Sequence, residues 1–120
     1  MVIVEAPAFT RHLPDYLDDE AWRVLQRALL RAPEAGDVIP DSGGFRKLRW
    51  PDPRRGKGKR GGLRVIYFHF EQDQQLWMMT IYDKNEKDDL SPAQRRILRQ
   101  MLEHELKERA AASRRRPRKG

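Results

Sequence analysis

Cysteine is absent from this chain of 120 residues. That removes disulfides, thiolate metal sites, iron–sulfur clusters and thiol nucleophiles together, and it fits a reducing compartment. Histidine is scarce. His12 falls in a first helical region, His104 far along the last one between Glu103 and Glu105, and His69 in a strand between Phe68 and Phe70. None is placed to give an imidazole acid–base couple. His12 and His104 read as surface or structural groups; His69, beside aromatics of the kind that stack on bases, is the one candidate RNA contact of the three. No apolar run approaches the roughly 20 residues of a membrane-spanning helix. The opening Met-Val-Ile-Val-Glu carries an acid where a secretory leader carries Lys or Arg. The expectation is a soluble, cytoplasmic protein without a membrane partner, with enough chain for one core.

Positive charge is what the chain has in excess, and it is not evenly spread. The formal net charge is +7. Residues 1–44 are net −4 and 65–106 net −3, whereas 45–64 are net +8 and 107–120 net +6. Two basic islands therefore sit on a mildly acidic body. Such islands neutralise a polyanion and release its counterions, so nucleic acid is the first partner to consider. Solubility tuning, or docking to an acidic protein, is the alternative.

The periodicities order the chain simply. Val2-Ile3-Val4 is a short strand, and Phe9 to Leu17 a brief helical piece interrupted by Pro14. Asp18 caps a helix running to about Arg31, with Trp22, Leu25 and Leu29 on one face. Gly36 to Gly44 reads as a connector, Phe45 to Trp50 as a strand, and the Gly- and base-rich stretch from Arg54 to Gly62 as a loop. Leu63–Phe70 and Leu76–Tyr82 form a hairpin about Glu71-Gln72-Asp73-Gln74. Ser91-Pro92-Ala93-Gln94 is a capping box opening a last helix, whose buried stripe is expected to be Ile97, Leu98, Met101, Leu102 and Leu106. The predicted fold is α+β: a small, mostly antiparallel sheet, made of an N-terminal strand and a three-stranded meander, packed with two N-terminal helices and a C-terminal helix. Residues 1–109 form the domain, and 110–120 a basic, disordered tail.

Four blocks in order resemble a known group. They are Gly36-Asp37-Val38-Ile39-Pro40; Gly43-Gly44-Phe45-Arg46-Lys47-Leu48-Arg49; Gly56-Lys57-Gly58-Lys59-Arg60-Gly61-Gly62-Leu63-Arg64-Val65-Ile66-Tyr67; and Ile81-Tyr82-Asp83-Lys84-Asn85-Glu86-Lys87-Asp88-Asp89-Leu90. Together they resemble the HigB-like branch of the RelE/ParE superfamily, the toxins of type II toxin–antitoxin pairs, over residues 2–106. Trp50-Pro51-Asp52-Pro53-Arg54-Arg55 is longer and richer in proline than the usual approach to the Lys-Gly-Lys block, and the Arg-rich tail is extra. The resemblance implies a RelE-like fold and a metal-independent endoribonuclease that enters the ribosomal A site and cleaves messenger RNA during translation. It also implies a cognate antitoxin, often a helix-turn-helix protein. A ParE-like poison of DNA gyrase on the same fold, or a non-enzymatic module binding RNA or an acidic protein, are the competing readings.

Metal-free cleavage needs a base for the 2′-hydroxyl, cations around the phosphorane and a proton for the 5′-oxygen. Lys57 and Lys59, two apart among glycines, can point the same way and crowd one another's charge, which favours a neutral amine on one of them. Arg64, opening a regular strand, offers a rigid fork to two phosphate oxygens. Tyr82 at a strand end, and Lys84 after it, complete the candidate catalytic set. Arg46, Lys47, Arg49, Arg54, Arg55, Arg60, Glu86 and Lys87 are candidate RNA contacts, with Glu86 open as an ion-pair partner or a carboxylate base. No metal or cofactor is called for. A solvated phosphate-binding loop without catalysis is the plainer reading of the same residues.

Overall fold

The computed structural model describes residues 1–55, 62–87 and 89–115. Three helices cover both faces of one five-stranded sheet, so the α+β class expected from periodicity is what the chain adopts. The β-branched run Val2–Glu5 forms strand β1, and Pro7, which cannot continue a ladder, opens helix α1 (Pro7–His12). A 3-10 turn over Leu13–Asp15 leads to helix α2 (Asp19–Arg31). Asp18 caps α2, its side chain accepting from the Ala21 N–H at 2.8 Å, with Asp19 and Glu20 complementing the helix dipole.

The remaining strands are β2 (Asp37–Val38), β3 (Arg46–Trp50), β4 (Leu63–Phe70) and β5 (Gln75–Asp83). Their order is β1-β5-β4-β3-β2, antiparallel throughout except for β1, which runs parallel to β5 along its outer edge. The sheet thus has five strands, not four: Asp37 and Val38, expected to lie in a connector, pair with Lys47 and Arg46. Both are exposed, so no buried face marks them as a strand in the sequence. Between β2 and β3 the turn is held by the buried Ser42 hydroxyl, which donates to the Ile39 carbonyl at 2.7 Å and accepts from the Phe45 N–H at 3.1 Å. Gly44 follows at φ 117°, a backbone region that side chains disfavour, and a Cβ there would lie 3.2 Å from the Phe68 ring.

Each face has its own core. Leu63, Val65 and Tyr67 of β4, with Leu76, Met78 and Ile81 of β5, pack beneath Phe9, Trp22, Leu25 and Leu29 of α1 and α2. Ile66 and Phe70 of β4, with Met79 and Tyr82 of β5, pack beneath helix α3 (Pro92–Arg115) through its Leu98 and Leu102. Alternation along β5 is broken once. Ile66 stands opposite Thr80 but Tyr67 opposite Met78, leaving Met79 as a surplus residue, a β-bulge.

Two expectations about α3 are corrected. Leu98 and Leu102 are buried, but Ile97 (53% exposed), Met101 (39%) and Leu106 (48%) are not. The apolar stripe is wider than the contact the sheet offers, and Ile97 and Met101 border an open groove of about 220 Å³ shared with Ala8 of α1 and with Met79 and Thr80. The helix also continues through Arg115, so residues 110–115, assigned to a disordered tail, are helical. Alanine's helix propensity and the Arg109–Glu105 pair, 3.0 Å apart one turn back, account for the extension. Residues 116–120 lie outside the described residues.

Candidate nucleic-acid interface

One end of the α3-covered face gathers most of the described candidates. β3, β4 and β5 align there so that Arg49 stands opposite Arg64, and Arg64 opposite Tyr82. Residues directly opposite one another on adjacent strands share a face, so Arg49, Arg64 and Tyr82 form one cross-strand row. Arg64 is half-buried and also donates to its neighbour's carbonyl, Leu63 O, at 3.1 Å.

Tyr82 is 6% exposed, and among the described residues its hydroxyl has no hydrogen-bond partner. Burial, and then the charge of Asp89, push its pKa above the ordinary phenol value, with Arg64 opposing. The hydroxyl is therefore protonated at neutral pH, a donor waiting for an acceptor. The Lys87 ammonium lies 5.1 Å from the Tyr82 ring centroid, a cation–π arrangement that brings a third positive charge to the row. Lys84 is exposed, and its backbone N–H donates to the Gly62 carbonyl at 2.9 Å, tying the loop after β5 to the residue that precedes β4.

Lys47, two residues before Arg49 on the same face of β3, meets Asp89 at 3.5 Å. Arg95 of α3 meets the other oxygen of that carboxylate at 3.7 Å. Partial burial alone would raise the Asp89 pKa; the Leu90 N–H and the charges of Lys47 and Arg95 outweigh it and hold the carboxyl below its usual range. Neither Asp89 nor Arg95 stood out in the sequence, because nothing in their spacing distinguishes them from other surface charges.

Arg46 and Arg54 are engaged elsewhere. Arg46 donates to the Gly36 and Glu34 carbonyls at 2.8 and 3.2 Å, closing the loop between α2 and β2. The Arg54 guanidinium donates to Asp52 at 2.8 and 3.0 Å, to Asp83 at 3.4 Å and to the Asp15 carbonyl at 2.9 Å, and lies 4.8 Å from the centroid of the Tyr16 ring. The Asp52 side chain is fully buried, and such a carboxylate needs this cation beside it. Glu86 accepts a 2.7 Å hydrogen bond from the Tyr16 hydroxyl. Burial, then Glu86 as acceptor and as charge, push the Tyr16 phenol up to about 12. Asp52, Asp83 and Tyr16 are the members of this network that sequence reasoning missed. The only signal for the acids is turn chemistry: each aspartate caps the N–H two residues on, at Arg54 and at Asn85.

His69 is 3.8 Å from Glu34, at the opposite end of β4 from Arg64. Lys57, Lys59 and Arg60 lie outside the described residues, as does the Arg55 side chain. Among the described residues, no helix is long and apolar enough to cross a membrane, and no group of three or more His, Asp or Glu side chains is set to hold a metal ion. No protein-family model matches this chain.

Proposed function

We propose that the protein is the toxin of a type II toxin–antitoxin pair: a metal-independent endoribonuclease that cuts messenger RNA in the ribosomal A site and is neutralised by a cognate helix-turn-helix antitoxin. The observation that carries the proposal is the cross-strand row of Arg49, Arg64 and Tyr82, two arginines in register with a buried, protonated phenol that has an unfilled hydrogen bond. Fixed cations and a fixed donor are what an in-line attack on a phosphodiester needs from a protein.

In this reading the 2′-hydroxyl gives up its proton and attacks the adjacent phosphorus. The bond to the 5′-oxygen breaks, and that oxygen takes up a proton, leaving a 2′,3′-cyclic phosphate and a 5′-hydroxyl. Arg64 holds two non-bridging oxygens in its fork while their charge grows, and Arg49 extends the track to a neighbouring phosphate. Tyr82 donates to an oxygen of the reacting group. Lys84 and Lys87 flank the leaving side, and Lys57 and Lys59 are the candidates for the base.

The test is to induce the protein in cells and map messenger RNA 5′ ends. New ends within translated reading frames, abolished by Arg64→Ala, are expected. Growth arrest with intact messages would overturn the proposal, and a DNA-damage response with translation intact would point to gyrase instead.

A further inference from the structure

The loop after β5 crosses the end of the sheet and is fastened on both sides. On one side Lys87 lies over the Tyr82 ring, in the row that faces α3. On the other, Glu86 reaches Tyr16, which belongs to the core beneath α1 and α2. Tyr16 and Glu86 are 70 positions apart in the chain, and the Tyr16 hydroxyl donates to the Glu86 carboxylate at 2.7 Å. Tyr16 is itself held: its ring carries the Arg54 guanidinium, and its backbone N–H donates to the Leu13 carbonyl at 3.0 Å. The anchor is rigid and the strap is short.

We propose that Tyr16 is a positioning residue, whose hydroxyl clasps Glu86 and thereby sets Lys84 and Lys87 against the Arg64–Tyr82 pair. The inference rests on the cleavage reading above and adds a residue from the far side of the sheet to it. Lys84 and Lys87 bracket Glu86, so a Glu86 fixed by Tyr16 limits where both ammonium groups can stand. Reacting groups held within a fraction of an ångström keep a large part of their rate advantage, which a released loop forfeits. The clasp also assigns Glu86 a task other than proton abstraction, since one of its oxygens is committed to the phenol. The Tyr16 hydroxyl stays protonated through the neutral range, so the clasp does not open there.

Tyr16→Phe is the decisive variant, because it keeps the ring under Arg54 and removes only the donor. Message-programmed ribosomes and purified full-length protein supply single-turnover cleavage rates, and hydrogen exchange of the Glu86 amide, bonded to the Asp83 carbonyl at 3.0 Å, reports on the strap. Tyr16→Phe and Glu86→Ala should each slow cleavage about tenfold at saturating ribosomes. Both should leave the half-saturating ribosome concentration unchanged and speed exchange at Glu86 about tenfold. Glu86→Gln, whose amide oxygen still accepts, should behave as the parent. Parent-like cleavage or unchanged amide exchange in Tyr16→Phe would overturn the inference. So would Glu86→Gln as damaged as Glu86→Ala, because the carboxylate itself would then be the active group. If the parent protein cuts nothing, the cleavage reading falls and Tyr16's part in it falls too, while amide exchange still accepts or rejects the clasp.

Discussion

The Tyr67 hydroxyl donates to the carbonyl of Pro33 at 2.7 Å. The same oxygen accepts from the Gly36 N–H at 3.0 Å. One fully buried phenol thus fixes the exit of α2 against the middle of β4. Tyr67→Phe removes both bonds while keeping the ring, leaving two backbone groups short of partners. We expect a loss of about 2 kcal/mol, read as a lower midpoint in urea with an unchanged slope.

Truncation along α3 should separate its two sides. Leu102→Ala, at a buried position against Gly43, is expected to cost about 3 kcal/mol. Met101→Ala, one residue earlier and bordering the open groove, is expected to cost under about 1 kcal/mol. Equal losses would mean that the groove is filled in solution. Thermal unfolding of the two variants makes the comparison.

Arg49 and Arg54 should separate binding from stability. Arg49→Ala is expected to lower the slope of log affinity for RNA against log salt by about one, with no change in unfolding. Arg54→Ala takes the cation from the buried Asp52 and should cost about 2 kcal/mol, with less effect on the salt slope. Salt titration of oligonucleotide binding and urea unfolding, run on both variants, show which arginine does which.

All three tyrosines of the chain titrate above the free phenol value of 10.0, burial being the leading cause in each, with Tyr16 pushed up to about 12. A folded pKa above the unfolded one gives stability that is complete below pH 10 and is lost as pH rises through the folded values. Tyrosinate absorbance should therefore appear late and together with loss of the far-ultraviolet helix signal. Asp89 works in the opposite sense. Its folded pKa is lowered, so its contribution is present above about pH 4 and fades as pH falls through the lowered value. Asp89→Asn should flatten stability in that acid range alone, and added salt should shrink the difference between the two proteins.

Local signals in this chain were readable. Asp18 caps α2, and the Ser91–Gln94 box closes with bonds of 2.8 and 3.1 Å, because a cap needs only residues three apart. Trp22, Leu25 and Leu29 are buried as their spacing predicts. Strand β2 was not readable, since two exposed residues become a strand only because β3 leaves an edge free. Nor was the depth of burial on α3: the pattern says which residues share a side, not how far the sheet reaches beneath them. Among the candidate contacts, Arg54 looks no different in sequence from Arg49. One meets buried aspartates and the other solvent: Asp52 stands two residues away, but its burial and the contacts from Asp83 and Asp15 come from distant parts of the chain.

The surplus Met79 has a consequence for which side chain meets Arg64. With unbroken alternation, the same β5 sequence would set Ile81 opposite Arg64 and turn Tyr82 down among the leucines beneath α2, its hydroxyl sealed in oil. A methyl-bearing stub would then sit where the phenol now sits. One irregular rung in the ladder decides whether Arg64 stands opposite a phenol or an alkyl side chain, and a single inserted or deleted neighbour is enough to trade one for the other.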